Sequence, residues 1–281
     1  MTKLKHTFKT DILFKLLFVK HPELLKRLVA QLLGVQFGSI KQFEIRNPEM
    51  PPEMIGNKFC RLDIHMAVDG QQTNLEVQVE DEGDYPERAL FHWARTYSNA
   101  LPAGGKYFEL PRTIIISILD FLLFDEWTEF HSEFQCLEIT HHKPLTDKQT
   151  YHFFELSKLP ENIERNDLLL LWLALFKANT EEELKEIEAL EVPELSEAIN
   201  AYHSVTASSE FRELERLRAK ARHDEAQALY NAERKGKAAG ETEKAFAIAK
   251  RLAKMGLPID KIITATGLSL EELEGLNDAD G

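Results

Sequence analysis

Apolar and polar positions alternate between residues 58 and 80, on both sides of the dipeptide Asp69-Gly70. Alternation with a period of two is typical of a strand with one buried face, and Asp-Gly between two such runs favours a tight hairpin turn. With this dipeptide at the centre of the turn, Ile64 pairs with Leu75. The pattern predicts an antiparallel hairpin whose apolar residues share one face: Cys60, Leu62, Ile64, Met66 and Val68, then Leu75, Val77 and Val79.

The polar face of this predicted hairpin brings charges together. Asp63 falls opposite Glu76, and Arg61 falls opposite Gln78. Directly opposed side chains have Cβ atoms about 5 Å apart, so two carboxylates placed there repel each other unless a cation lies between them. Carboxylate oxygens without a Cys/His cluster suit Mg²⁺ or Mn²⁺ better than zinc. The alternative interpretation is an ordinary solvated face on which Arg61 neutralises the two acids.

Helical and extended patterns alternate over the rest of the first 160 residues. Helical spacing over residues 8–34, interrupted at His21-Pro22, predicts two helices, and residues 85–101 predict another. The segment 112–120 is almost continuously apolar, which is typical of a strand buried on both faces. Further strands are predicted over residues 40–46, 134–140 and 151–156. The expected fold class is therefore α/β, with a central sheet flanked by helices.

From residue 160 onward only helical patterns remain, which predicts an all-α C-terminal region. A long helix of mixed charge is expected from residue 208 to about residue 235, where Gly236 and Gly240 should end it. These features predict three domains: a core over residues 1–160, a helical extension over residues 161–236 and a small helical unit over residues 237–281.

The small C-terminal unit contains short helical patterns joined by glycine turns, an arrangement similar to a helix-turn-helix. Its last helix carries Glu271, Glu272 and Glu274, and carboxylates are unfavourable beside DNA phosphates. The unit is therefore either a DNA-reading element or a packing element that binds a partner. The helical C-terminal region could also join copies of the chain into a homo-oligomer.

Composition and charge limit the cellular location and the binding partners that we expect for the protein. The chain has 281 residues, and 43% of them are hydrophobic, which is ample for a packed core. Two cysteines give no disulfide framework, the start lacks a signal-peptide pattern, and the apolar runs are too short to cross a bilayer. We therefore expect a cytoplasmic protein without membrane contact. The net charge of −13 is unfavourable for binding DNA through overall charge, although a local basic surface is compatible with it.

Several short motifs occur in an order and spacing that resemble a known family. They are Thr10-Asp11-Ile12-Leu13-Phe14-Lys15, Lys58 with Arg61-Leu62-Asp63-Ile64, Glu76-Val77-Gln78, Arg88-Ala89, Tyr97, and Gly105-Lys106-Tyr107 leading into the apolar strand at Ile114. Together they resemble the Rpn-type branch of the PD-(D/E)XK nuclease superfamily, the recombination-promoting nucleases and putative transposases. The resemblance covers about the first 160 residues. It implies a restriction-endonuclease-like core with a mixed sheet, and an Mg²⁺-dependent DNA endonuclease that acts on double-stranded DNA and promotes recombination.

The resemblance also implies roles for individual residues. Asp63, Glu76 and the backbone carbonyl of Val77 would hold the metal, and Asp11 is a further ligand candidate. Arg88 and Arg61 are candidates for contacts with DNA.

Gln78 stands where the superfamily motif has lysine. Its amide can orient an attacking water, but it cannot act as a base. Lys58 could lend an ammonium group to the site if a bulge turned it from the apolar face. The alternatives are a catalytically weak DNA-binding or protein-interaction module descended from such a nuclease, and a metal-dependent RNase with the same site chemistry.

Overall fold

The protein is described here by a computed structural model, which covers residues 2–47 and 63–277. The helices of the core and its extension are α1 (Asp11–Lys20), α2 (Pro22–Leu32), α3 (Tyr85–Asn99), α4 (Leu168–Lys177), α5 (Glu181–Glu188) and α6 (Pro193–Ala207). Three more follow: α7 (Ser209–Lys254), α8 (Ile259–Thr266) and α9 (Leu270–Asn277). The strands are β1 (Phe43–Ile45), β2 (Ile64–Val68), β3 (Gln71–Gln78), β4 (Thr113–Leu119), β5 (His131–Phe134) and β6 (Gln149–Glu155).

The strands form a six-stranded mixed sheet in the order β1-β2-β3-β4-β6-β5. Strands β3, β4 and β6 are parallel neighbours at its centre, whereas β1, β2 and β5 pair in antiparallel fashion. Every residue of β4 is buried, as its continuous apolar run predicts. The predicted mixed sheet with flanking helices and an all-helical C-terminal region is confirmed.

The β2–β3 hairpin has the predicted register. Its pairs include Ile64 with Leu75, Met66 with Thr73 and Val68 with Gln71. The turn residues Asp69 and Gly70 both have positive φ, 49° and 81°, as a type I′ turn requires. The Asp69 carboxylate accepts hydrogen bonds from the backbone N–H groups of Lys41 and Gln42, at 2.8 and 2.7 Å. The turn is thus tied to the segment that leads into β1.

Helices cover both faces of the sheet. The main core packs α1, α2 and α4–α6 against one face, where the sheet contributes Leu75, Ile114, Ile116 and Ile118. A smaller core packs α3 against the other face, where Tyr85 and Ala89 meet Ile115, Leu119, Tyr151 and Phe153. Since side chains alternate along a strand, Asn74, Glu76 and Gln78 of β3 lie on the α3 face.

Two elements differ from the sequence prediction. Strand β5 occupies His131–Phe134 rather than residues 134–140, because residues 137–144 form a turn closed by the Leu137–Pro144 bridge. The Glu138 carboxylate holds this turn by accepting hydrogen bonds from the backbone N–H groups of Thr140 and His141. Helix α7 does not end near residue 235 but continues through Gly236 and Gly240 to Lys254.

The chain divides into two compact units, Met1–Arg218 and Ala219–Gly281. The first contains the sheet and α1–α6. The second contains the remainder of α7 with α8 and α9, and its core is built from Ala249, Ile262, Leu268 and Leu273. The three-domain division drawn from the sequence stays a prediction. Within the described residues, no helix has the length and apolar character needed to span a membrane.

Candidate active site

The polar face of the β2–β3 hairpin carries both predicted carboxylates. The last paired residues are Ile64 and Leu75, and Asp63 and Glu76 are the next residues beyond this pair on the two chain segments. Glu76 lies within β3 and is only 6% exposed, whereas Asp63 precedes β2 and is partly exposed. The hairpin therefore presents two acids on the face that α3 covers.

Arg88 of α3 reaches the carboxylate end of this face. Its Nη2 lies 3.7 Å from Glu76 Oε1 and donates a hydrogen bond to Gln78 Oε1 at 3.1 Å. Its Nη1 contacts Glu82 and lies near Asp84. With 13% of its side chain exposed, the guanidinium neutralises a cluster of acids that would otherwise repel one another. The sequence suggested a phosphate contact for Arg88, and the structure places it beside the site residues themselves.

Gln78 is fixed at both ends of its amide. Oε1 accepts the hydrogen bond from Arg88, and Nε2 donates to the backbone carbonyl of Glu80 at 3.0 Å. Glu76 has a second contact, because Tyr85 Oη donates to its Oε2 at 3.4 Å. Helix α3 thus orients Glu76 and Gln78, which are neighbours on this face of β3. It does so through Tyr85 and Arg88, which lie one helical turn apart.

Sequence reasoning gave no role to Lys15, which the structure brings to this site. Lys15 lies on α1, is 1% exposed, and donates a hydrogen bond from Nζ to the backbone carbonyl of Asp63 at 2.9 Å. Asn47 Nδ2 donates to the same carbonyl at 3.1 Å. The role of Lys15 could have been found from its position between Phe14 and Leu16 in an apolar helix, because a buried ammonium group needs a polar partner.

The remaining predicted site residues lie in different places. Asp11, at the start of α1, forms an ion pair with Arg218 at 2.9 Å, and the contacts described by the structure do not bring it to Asp63 or Glu76. Val77 lies in β3 between Glu76 and Gln78, and its side chain packs on the opposite face in the main core. Lys58 and Arg61 lie outside the described residues.

A polar pocket of about 540 Å³ opens beside Asp63. The sheet supplies one wall and the second half of α3 supplies the other. Burial lowers the pKa of His65, one of the lining residues, although its hydrogen bond to Gln72 at 2.8 Å opposes the shift. The lining residues are Arg46, Asn47, Asp63, His65, Gln72, Asn74, His92, Arg95, Thr96, Asn99, Ala100 and Pro111.

The fold agrees with a comparison against protein families. The model described as PD-(D/E)XK nuclease family transposase matches residues 8–232. The chain belongs to this family. The match includes all six strands, so the mixed sheet is the PD-(D/E)XK core, and the resemblance seen in the sequence motifs is confirmed. The comparisons with curated proteins and with solved structures found no match.

Membership of the PD-(D/E)XK family indicates a nuclease-related function, and PD-(D/E)XK nucleases typically use divalent metal ions. Within the described residues, no three His, Cys, Asp or Glu side chains converge into a metal-binding group. The carboxylates of Asp63 and Glu76 and a backbone carbonyl of β3 are nevertheless hard oxygen donors, the type of ligand that Mg²⁺ prefers. Among the described residues, the guanidinium of Arg88 is the cation that lies beside the Glu76 carboxylate.

Proposed function

We propose that this protein is an Mg²⁺-dependent DNA endonuclease that hydrolyses phosphodiester bonds in double-stranded DNA and thereby promotes recombination. The observation that supports the proposal is the hairpin register, which ends on the pair Ile64–Leu75, one residue short of Asp63 and Glu76, with Arg88 beside the Glu76 carboxylate. If the register continues by one residue, the two carboxylates lie opposite each other, as the site of a metal-dependent phosphodiesterase requires.

Asp63, Glu76 and the backbone carbonyl of Val77 would hold the ion, with Asp11 as a further candidate once it leaves Arg218. A bound divalent ion supplies Lewis-acid polarisation of the phosphate and a water of lowered pKa. Lys15 holds the backbone at Asp63, which fixes the direction of that side chain.

Gln78 takes the place of the motif lysine, and its amide oxygen can accept a hydrogen bond from the attacking water when it releases Arg88. The guanidinium of Arg88 could then donate to a phosphate oxygen in bidentate fashion. Lys58 and Arg61 keep their proposed roles, as a source of positive charge and as a DNA contact.

A second candidate function is a catalytically weak DNA-binding or protein-interaction module. The specific observation that favours it is Arg88, which already occupies both Glu76 and Gln78 and so replaces the charge that a metal would supply. The net charge of −13 favours the protein-interaction form of this module, since negative charge disfavours binding to a polyanion such as DNA.

Nicking of supercoiled plasmid separates the two candidates. Purified protein is incubated with Mg²⁺, with Mn²⁺ and with EDTA, and wild type is compared with Asp63→Ala and with Asp125→Ala, which changes an exposed aspartate outside the site. We expect metal-dependent nicking that Asp63→Ala lowers by about 100-fold or more and that Asp125→Ala leaves unchanged. Folded protein that cleaves neither DNA nor RNA would favour the module. Equal nicking by Asp63→Ala and wild type would show that the hairpin is not the site.

A further inference from the structure

The pocket beside Asp63 has a wall of hydrogen-bonding side chains that the metal site does not use. Asn74 lies at the middle of β3, between His65 of β2 and Ile115 of β4, and is 7% exposed. Its Oδ1 is buried, and within the described residues it has no hydrogen-bond partner. Because a buried polar atom without a partner is costly, its position in the wall of a pocket points to a ligand that completes it.

Cationic side chains line the pocket together with these polar groups. Arg95 on α3 is exposed, and among the described residues it forms no ion pair. Arg46 follows β1 and lies beside His65, where its backbone N–H donates to the His65 carbonyl at 2.7 Å, but its guanidinium is already paired with Glu44 at 3.0 Å. Arg95 is therefore the arginine of the pocket that is open to a ligand. A guanidinium that is not engaged by a carboxylate suits a phosphate group.

The size of the pocket and its neighbours define the class of ligand. Its volume of about 540 Å³ lies within the range of roughly 300–1,000 Å³ typical of pockets that bind drug-sized molecules, and a nucleotide is of that size. Amides and imidazoles can read the edge of a base by hydrogen bonds, and a base enters a concave pocket only after leaving the stacked duplex. Asp63 lines the same pocket, so its ligand lies next to the proposed point of cleavage.

We propose that this pocket binds one unpaired nucleotide of the DNA substrate, with Asn74 and Gln72 reading the base and Arg95 holding a phosphate. The inference rests on the proposed nuclease function and adds a substrate class to it. The preferred DNA carries an extrahelical or single-stranded nucleotide beside the cleaved bond. No Phe, Tyr or Trp is among the described lining residues, and the hydrogen-bonding groups of these residues are the basis of recognition in this proposal.

Fluorescence anisotropy in EDTA tests the inference without cleavage. The full chain is titrated against three labelled duplexes of one sequence: continuous, with one unpaired adenine, and with an abasic site at the unpaired position. We expect the unpaired adenine to bind about tenfold more tightly than the other two, the contribution of one good bidentate contact to a base. Equal affinity for all three duplexes, or for the adenine and abasic forms, would overturn the proposal.

Two variants separate the roles within the pocket. Asn74→Ala is expected to abolish the preference for the unpaired adenine, whereas Arg95→Gln should weaken binding to all three duplexes. Arg234→Gln is the matched control, because it removes an exposed arginine outside the pocket. If Asn74→Ala does not fold by circular dichroism, Gln72→Ala, which removes the other side chain proposed to read the base, replaces it. A preference that survives in the folded Asn74→Ala variant, or in the Gln72→Ala variant that replaces it, would contradict the proposal.

Parallel cleavage assays with Mg²⁺ keep this inference distinct from the nuclease proposal. Selective binding of the unpaired adenine without cleavage of any substrate would refute the nuclease proposal but support nucleotide binding by the pocket. Cleavage of all three duplexes without selective binding would refute nucleotide binding by the pocket but support the nuclease proposal.

Discussion

Two cationic side chains that contact Asp63 or Glu76 come from helices rather than from the hairpin. Arg88 reaches Glu76 and Gln78 from α3, and Lys15 reaches the carbonyl of Asp63 from α1. The pairing of Ile64 with Leu75 could be predicted because hairpin register is a local property of turn and alternation. The approach of the two helices could not, because it depends on packing between segments far apart in sequence.

Replacing Lys15 by methionine tests whether it positions Asp63. Methionine fills a similar volume without charge, so we expect folding to be retained while nicking at low Mg²⁺ falls by about 10–100-fold, with partial recovery at high Mg²⁺. Recovery would show that metal affinity, and not the fold, is affected. Plasmid nicking over a Mg²⁺ series measures the effect, and urea unfolding checks stability. Lys185→Met removes an exposed lysine of α5 and should change neither quantity. Unchanged nicking by Lys15→Met at every Mg²⁺ concentration would remove Lys15 from the site.

Helix α7 illustrates how neighbours decide the effect of a glycine. Glycine inside a helix costs up to about 1 kcal/mol relative to alanine, so a helix end near residue 235 was a reasonable expectation. The surrounding residues, among them Ala238, Ala239 and Lys237, are strong helix formers, and the helix continues to Lys254. Local propensity summed over a longer window would have favoured the continuous helix.

Alanine at the two glycines tests the continuity of α7. A Cβ at Gly236 or Gly240 meets no atom within 4 Å, so each substitution should raise the free energy of unfolding by about 0.5–1 kcal/mol. Thermal unfolding followed by circular dichroism measures the gain. Gly267→Ala provides the opposite control, because φ of +73° at this helix end disfavours a side chain and the variant should lose stability. A loss or no gain at both positions of α7 would mean that the helix is interrupted there.

At the scale of the whole molecule, the local patterns were enough to predict a mixed sheet, flanking helices and a helical C-terminal region. They did not give the strand order in which β6 lies between β4 and β5, since that order depends on crossovers through distant segments. They also gave no role to polar groups that the fold buries. His152 of β6 is 7% exposed, and its Nδ1 lies 3.0 Å from His131 Nε2.

This buried histidine predicts that the protein loses stability in mild acid. Burial lowers the pKa of His152 to about 4, against 6.5 for an exposed histidine, so below pH 6.5 the unfolded chain binds a proton that the folded chain does not. The contribution of neutral His152 to the free energy of unfolding is complete above pH 6.5 and is lost as the pH falls towards 4. Between pH 7 and pH 5 the free energy of unfolding should therefore fall by about 2 kcal/mol. Burial also lowers the pKa of His131, which acts in the same direction.

Urea unfolding at several pH values measures the effect. The variant His152→Gln has no titrating group at this position, so its free energy of unfolding should decrease less over the same range. Parallel pH profiles for the two proteins would show that His152 is protonated in the folded state.

The sheet ends on its two shortest strands. Strand β1 has three residues and β5 has four, whereas the central strand β3 has eight. Unpaired backbone groups at a sheet edge can recruit a strand from another molecule, and very short edges give such a strand little to pair with. The order of the strands therefore protects the protein against edge-to-edge aggregation. The longest strand, β3, and the fully buried strand β4 are both paired on each side within the sheet.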